Sequence, residues 1–489
     1  MSAILSYMDC SVAGVPDSER KHGRPNMTET DYLVKGAGAS AMAFVDVMLR
    51  ETDATFTIVD RRLAPGGHWN DAYPFVRLHQ PSAYYGVASR QLGRGLKDET
   101  GFNKGLYELA SGVEVANYFH QVMRDEFLPS GRVNYHPMSE IGREGEIVSA
   151  LSGKRHRITV KRKVVDATIL QTSIPLTHTR KFPTAEGVVC IPPNDLARLA
   201  LNNRRFTVLG AGKTGIDSVL WLLANGVPPE AICWVVPRDP WMINRAITQP
   251  GQEFFGQMVG GMATQYEIAA TASSIRELCQ RMEAAGNWLR LDLDVWPTMF
   301  HAATVSMVEL EHLRRIRNVV RMGRVQRIDA DRIVLDGGES LSEPGTLYID
   351  CTARALAHNV DDQTPVFSTG QIALQMIRQF QPTFSAALIG HLEATVADEA
   401  TKRNLTNPVP MTDTVEDWAR GQVAGMSNQF GWMSDKKISV WLAGCRLNAL
   451  GAATTQVRED DAEKQAVLQR MKAHALPALQ NLQRLTQAA

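Results

Sequence analysis

The chain has 489 residues with 52 Lys+Arg against 52 Asp+Glu, so its formal charge is zero, and 44% of it is apolar. That balance leaves no basic stripe for a nucleic-acid partner, and the apolar content argues against wholesale disorder. No stretch reaches the ~18 uncharged apolar residues of a membrane helix, so a cytoplasmic protein with no membrane partner is expected.

Six cysteines, Cys10, Cys190, Cys233, Cys279, Cys351 and Cys445, lie far apart with no CxxC pair. Neither a disulfide framework nor a zinc spacing is present, so no metal site is expected and the setting is reducing. Residues 1–29 read as a loose leader, with Met27 as a working start.

The first organised stretch is a short strand, Tyr32 to Val34, running into Gly36-Ala37-Gly38-Ala39-Ser40-Ala41. A helical pattern follows (Met42, Val45, Met48, Leu49), then a strand from Thr55 to Val59 that ends in Asp60, 22 residues after Gly38. Gly36 permits the tight turn, Gly38 lets the backbone approach a pyrophosphate, and Ala41 permits close helix–strand packing. The helix N-terminus offers unpaired N–H groups to phosphate, and Asp60 suits a ribose diol. Lys35 breaks the pattern, because a buried strand should carry an apolar residue there and an unpaired ammonium is costly to bury.

Residues 206–238 repeat the device. A strand (Phe206 to Leu209) meets the complete GxGxxG of Gly210, Gly212, Lys213, Thr214 and Gly215, and a helix and a second strand (Ile232 to Val236) follow. This strand leads to Arg238 and not to an acid. An arginine there neutralises a 2′-phosphate, which favours NADPH over NADH. Gly-Lys-Thr is not a Walker A loop, since position 207 is Thr207 and not glycine. An acid after the first unit and an arginine after the second suggest FAD and NADPH, with hydride passing between them.

Between the units lies Arg61-Arg62-Leu63-Ala64-Pro65-Gly66-Gly67-His68-Trp69, then Tyr73-Pro74. This segment resembles the GGxW…YP stretch of class B flavin-dependent monooxygenases, which include the flavin-containing and Baeyer–Villiger enzymes. The resemblance runs from about Thr30 to about Glu393 and marks a divergent relative. The fingerprint before the second glycine motif survives only as Thr177 to Pro183 without its leading Phe-x-Gly, and the linkers near Thr168 and Thr352 lack their glycine. It implies that Arg61, Gly67, His68 and Trp69 lie along FAD, and that Gln80 and His68 are donors beside the flavin ring. It also implies an NADPH-using monooxygenase that inserts one oxygen atom of O2 into a small organic substrate through a flavin C4a-(hydro)peroxide. Two alternatives stay open: a reductase, dehydrogenase or oxidase without oxygen insertion, and a non-catalytic flavin-fold binding protein, for which Lys35 speaks. The absent dithiol excludes the disulfide reductases of the same fold, and the absent WxWxIP excludes the flavin halogenases.

Beyond Pro250 the pattern turns helical. Ser274 and Glu277 suggest a capping box, and Gly286 suggests a stop. Val305, Val308, Leu313, Ile316 and Val320 predict one amphipathic helix. Trp288, Trp296, Phe300 and His301 are pocket candidates, although packing is the simpler role. Arg332 to Leu335 and Thr346 to Asp350 predict a return to the first fold, which residues 365–395 complete with Gln375 and Arg378 as further pocket candidates. A C-terminal helix carries Leu468, Met471, Ala475, Leu479 and Leu482 on one face, with a kink expected at Pro477; it docks on the body or on a second copy of the chain. The expected class is α/β with two Rossmann-like dinucleotide-binding domains, one inserted in the other, plus a C-terminal helical region. The expected divisions are a first FAD part at 30–175, an NADPH domain at 176–340 with a helical insert at about 250–320, a second FAD part at 341–400, and a helical region at 401–489.

Overall fold

The structure, a computed structural model, describes residues 29–143, 145–170, 173–353 and 364–487. The leader, including Cys10 and Met27, lies outside the described residues. The chain is a mixed α/β protein built around two largely parallel sheets, with smaller antiparallel sheets and a helical C-terminal region.

Strand β1 (Glu29–Lys35) passes through the glycine turn into helix α1 (Ala39–Glu51), then strand β2 (Phe56–Val59), and later β3 (Val133–His136). β1 pairs in parallel with β2 on one side and with the strand Thr159–Asp166 on the other, and β2 pairs in parallel with β3. Gln371–Ala373 extends the sheet beside Thr159–Asp166. Helix α1 is buried continuously from Ala41 to Met48 because it lies between this sheet and the helix Pro382–Thr395. A helix covered on both sides needs a largely apolar surface, which this stretch supplies except at Asp46, whose buried carboxylate accepts from the Ser89 N–H at 3.0 Å.

In the second sheet, Phe206–Leu209 lies between Ile232–Val235 and Leu347–Asp350, with Val319–Val320 and Cys190–Ile191 at the edges; every pairing is parallel. Here two expectations are corrected. Leu347–Asp350 does not return to the first fold but pairs with Phe206–Leu209. Arg332–Leu335 belongs to a separate three-stranded antiparallel sheet. A fully buried apolar strand fits the centre of either parallel sheet, so its pattern does not say which one it joins. Among the described residues the chain rejoins the first sheet with the antiparallel pair Phe367–Ser368 and Gln371–Ala373.

The amphipathic helix expected over 305–320 is shorter. Met307–Leu313 is helical, after a capping box between Ser306 and Glu309, and Val319–Val320 is an edge strand of the second sheet. The apolar residues after Leu313 are buried through a turn and that strand, which their spacing alone could not separate from a continuing helix. Ser274 caps the helix Ile275–Ala284 by accepting from the Glu277 N–H, but the expected capping box does not close, because the Glu277 carboxylate accepts from Ser273 instead; Gly286 follows the helix. Trp288 and Phe300 pack with Trp241 and Trp418 in one buried aromatic cluster. The C-terminal helix Ala462–Gln487 contains Pro477 and lies along the helix Phe255–Thr271.

Lys35 is also resolved. It stands at the C-terminal end of β1, about half exposed, with its ammonium 3.1 Å from Asp166 at the end of the neighbouring strand. The position is at the sheet's rim, where the cation stays hydrated and paired.

Candidate functional site

Both glycine turns sit where a central parallel strand ends and a helix begins. In the first, Gly36 has φ +95°, and Gly38 stands at the N-cap of α1, which no side chain caps. The first turn of that helix, Ala39, Ser40 and Ala41, therefore presents backbone N–H groups and the positive end of the helix dipole. Asp60 is buried at the end of β2, and its carboxylate accepts from the N–H of Ala37 at 2.6 Å and of Arg62 at 2.7 Å. It thereby holds the turn and the following loop together, while Arg61 points into solvent.

That loop folds back onto the turn. The Gly66 N–H donates to the Ala37 carbonyl at 2.8 Å, and a Cβ on Gly67 would come within 3.1 Å of the Gly38 Cα. Gly67 is needed because two backbones touch here, and Gly66 because its φ is +111°. His68 stacks on Trp69, and the Trp69 indole N–H donates to the Tyr85 hydroxyl at 2.9 Å. Burial, with Arg62 nearby, pushes His68 down to about 4 against the opposing pull of Asp71. The imidazole is thus neutral at pH 7. Its stabilising contribution is full above the ordinary histidine range near 6.5 and is lost as pH falls toward 4. A His68→Gln chain should flatten the acid limb of the stability curve between those values by on the order of 2 kcal/mol, measured as urea midpoint against pH. An unchanged slope would refute the assignment.

Tyr85 leads on to a small recess lined by Gln80, Pro81, Tyr84, Phe380, Gln381 and Thr383. One wall is the start of the helix Pro382–Thr395, which again lacks a side-chain cap. The side-chain oxygen of Gln381 is buried there without a hydrogen-bond partner among the described residues. Gln80 is one of the residues that line this recess. Arg378 stands just before the same helix, stacked at 4.0 Å over Phe384 and donating to Asn448. Gln375 is buried and donates to the Thr364 carbonyl.

In the second turn Gly210 has φ +111°, and a Cβ on Gly215 would lie 2.1 Å from the Gly210 carbonyl oxygen. Only glycine lets this helix lie so close to its strand. Gly212 stands open, with nothing within 4 Å of an added Cβ, and the helix Lys213–Ala224 has no side-chain cap. Lys213 pairs with Asp217 one turn later on the same helix. Asp217 also accepts from the Tyr73 hydroxyl at 2.8 Å, while Phe75 stacks on Trp221 at 5.1 Å. The aromatic link thus fastens the first unit to the first turns of the second unit's helix, with Thr214 also beside the Tyr73 hydroxyl. Burial pushes the Asp217 carboxyl upward, opposed by Lys213.

The sequence reading missed three members of this junction. His79 lies near Lys213 and Arg245, and burial followed by these two cations holds it well below the usual histidine range. Arg245, only 1% exposed, donates to the carbonyls of His79 and Thr304 and to Asn103, and pairs with Glu309 at 2.8 Å. Asp217 had one legible signal, its i+4 spacing from Lys213. Arg245 had none, because its four partners come from three separate stretches of chain. Arg238 lies past the strand Ile232–Val235 as expected, but its guanidinium is held by both oxygens of Asp413, at 2.9 and 2.6 Å.

Among the described residues no group of three His, Cys, Asp or Glu is placed to hold a metal, and no helix is long and apolar enough to cross a membrane. Cys190, Cys233, Cys279, Cys351 and Cys445 are free thiols, and burial raises all five.

No family model matches the chain. Among solved structures it is similar to a polycyclic ketone monooxygenase from the thermophilic fungus Thermothelomyces thermophila, at 12% identity and a TM-score of 0.48, over 97% of this chain and 89% of that one. It is also similar to a cyclohexanone monooxygenase from Rhodococcus sp. Phi1 bound to NADP+, at 13% identity and a TM-score of 0.48, over 77% of this chain and 85% of that one. At these values the likenesses carry no argument about chemistry. Sequence relatives are far nearer. The uncharacterized protein Rv2000 of Mycobacterium tuberculosis is 46% identical over 428 residues, covering 88% of this chain and 79% of its own length. The uncharacterized protein Mb2023 of Mycobacterium bovis matches to the same extent. With close to half its residues shared over nearly all its length, the chain belongs to the family of these mycobacterial proteins.

Proposed function

We propose that the protein is a flavin-dependent oxidoreductase, a monooxygenase that uses FAD and NADPH to oxygenate a small organic substrate with O2. The observation that carries this reading is the pair of glycine turns, each at the end of a central parallel strand with an uncapped helix behind it, fastened to each other through Tyr73 and Asp217. The GGxW…YP resemblance adds the flavin type.

The residues present fit both cofactors. At the first turn the contact of Gly38 with Gly67 makes a cradle that a side chain would fill, and Asp60 at the end of β2 is the acid that would face a ribose diol, each of its oxygens already accepting one backbone N–H. The N–H groups of Ala39, Ser40 and Ala41 would hold the pyrophosphate. At the second turn Gly210, Gly212, Lys213, Thr214 and Gly215 would hold the NADPH pyrophosphate, with Arg238 near the 2′-phosphate. When bound, the cofactors supply hydride transfer and oxygen activation. The chain's own part is to bind, orient and exclude water. Gln80 and the dipole end of the helix Pro382–Thr395 put polarity at one recess, and His68 and His79, both held neutral, can accept or donate hydrogen bonds without adding charge. In this reading residues 30–170 and about 365–395 form the FAD unit, and the second parallel sheet with its insert forms the NADPH unit.

The non-catalytic alternative loses its support, because Lys35 is rim-exposed and paired. The test is spectroscopic. Purified protein should carry flavin absorbance, bleach anaerobically on adding NADPH, and on readmitting O2 transfer label from 18O2 to a ketone, amine or sulfide. Flavin that reoxidises with stoichiometric hydrogen peroxide and no labelled product from any of the three would leave a reductase or oxidase. A chain that takes up no FAD would defeat the reading altogether.

A further inference from the structure

Arg238 is the cation that the second unit offers to a 2′-phosphate, yet its donors are already engaged. Nη1 lies 2.9 Å from one oxygen of Asp413 and Nη2 2.6 Å from the other, the parallel two-point contact that a guanidinium also makes with phosphate. Asp413 comes from far along the chain, at the entry to the helix Val415–Ser434, whose cap is its neighbour Thr414. The carboxylate is therefore not consumed in capping. It is held in place from the other side as well: His301 Nε2 is 2.8 Å from one carboxylate oxygen, and the Phe300 N–H donates to the Asp413 carbonyl at 2.9 Å.

The other nearby carboxylate is spoken for. Asp239, next to Arg238 in sequence, is buried and accepts from Nε and Nη2 of Arg321 at 2.9 and 3.1 Å. Asp413 is thus the carboxylate that engages the Arg238 guanidinium. The pair is accessible, with the two side chains 32% and 24% exposed, so an incoming anion can reach it from solvent. The contacts with Arg238 and His301 hold the Asp413 carboxyl far below the usual carboxylate range, so it stays an anion at any pH at which the protein works. A carboxylate and a phosphate dianion cannot share one guanidinium face without close like-charge contact.

We propose that Asp413 is a specificity-determining residue that occupies the 2′-phosphate seat on Arg238, so that the C-terminal region, and not the second glycine unit alone, sets the preference between NADPH and NADH. This rests on reading the second unit as a nicotinamide-dinucleotide site. A 2′-phosphorylated nucleotide binds by displacing the carboxylate, whereas its unphosphorylated counterpart binds without touching the pair. The intact chain accordingly discriminates weakly in favour of NADPH.

The experiment is calorimetric titration of the full-length protein with NADP+ and NAD+, which needs no turnover. Asp413→Asn is expected to tighten NADP+ binding at least tenfold and to leave NAD+ binding within about twofold, and unchanged NAD+ affinity also certifies the fold. Asp413→Glu, which keeps the charge, should retain the weak discrimination. In an Arg238→Ala background the gain from Asp413→Asn should vanish, an outcome that a merely structural role for Asp413 would not produce. Unchanged or weaker NADP+ binding in Asp413→Asn, with NAD+ binding intact, would overturn the proposal and make Asp413 a group that positions Arg238 for the phosphate. A gain that survives Arg238→Ala would overturn it too. Failure of every chain, the unmodified one included, to bind either dinucleotide would overturn the reading of the second unit and the proposal with it.

Discussion

Gly215→Ala is expected to remove nicotinamide-dinucleotide binding while leaving flavin bound. The added methyl would lie 2.1 Å from the Gly210 carbonyl oxygen and 3.0 Å from its carbon, both backbone atoms that cannot rotate away. The helix Lys213–Ala224 must then lift off the strand Phe206–Leu209, which carries the helix N-terminus away from the phosphates. Overpacking of this kind costs about 1–3 kcal/mol and occasionally more. Dinucleotide affinity should fall by more than tenfold, and flavin absorbance per chain should stay within about a fifth of its original value, since the first turn belongs to the other sheet. Loss of both cofactors together would show that the two units do not fold or bind separately, and would defeat the assignment of one cofactor to each.

Arg245→Ala is expected to be the most destabilising single change at the junction. The guanidinium is buried and braces His79 from the segment after the double glycine, Asn103, Thr304 and Glu309. Its removal leaves the Glu309 carboxylate, itself only 12% exposed, without its cation. Breaking a buried pair from one side costs about 3–5 kcal/mol, because the remaining charge is uncompensated. The measurement is the urea unfolding free energy. Adding Glu309→Gln to the Arg245→Ala chain should recover part of the loss, whereas Arg245→Lys should not restore it, since a point charge cannot reproduce a four-partner fork. A loss below about 1 kcal/mol would mean that the junction is wet or loosely held.

Both predictions turn on features that differ in how visible they were in the chain. Gly36, Gly38 and Asp60, and Gly210, Gly212 and Gly215, were legible because a strand, a tight turn and a helix N-terminus are local: sterics and hydrogen-bond supply within about thirty residues decide them. The double glycine at 66–67 was legible as a motif, but the reason for it was not, since only the folded chain brings Gly67 against Gly38. Gln80 is expected beside the flavin from the resemblance alone; that it lines a recess with Gln381, and that its neighbour His79 lies near Lys213 and Arg245, only the folded chain shows.

The sequence by itself determined two strand–glycine–helix units, the charge that follows each, the absence of a dithiol, and the apolar faces of the helices. These are properties of spacing and side-chain type. Tertiary structure alone decided which sheet Leu347–Asp350 joins, that Lys35 stands at a rim beside Asp166, that Arg245 braces four partners, and that Arg238 is already answered by Asp413. The physical reason is the same in each case. A buried strand or a charged side chain is satisfied by any partner of the right chemistry, and many such partners exist along 489 residues. Only the packed chain selects one of them.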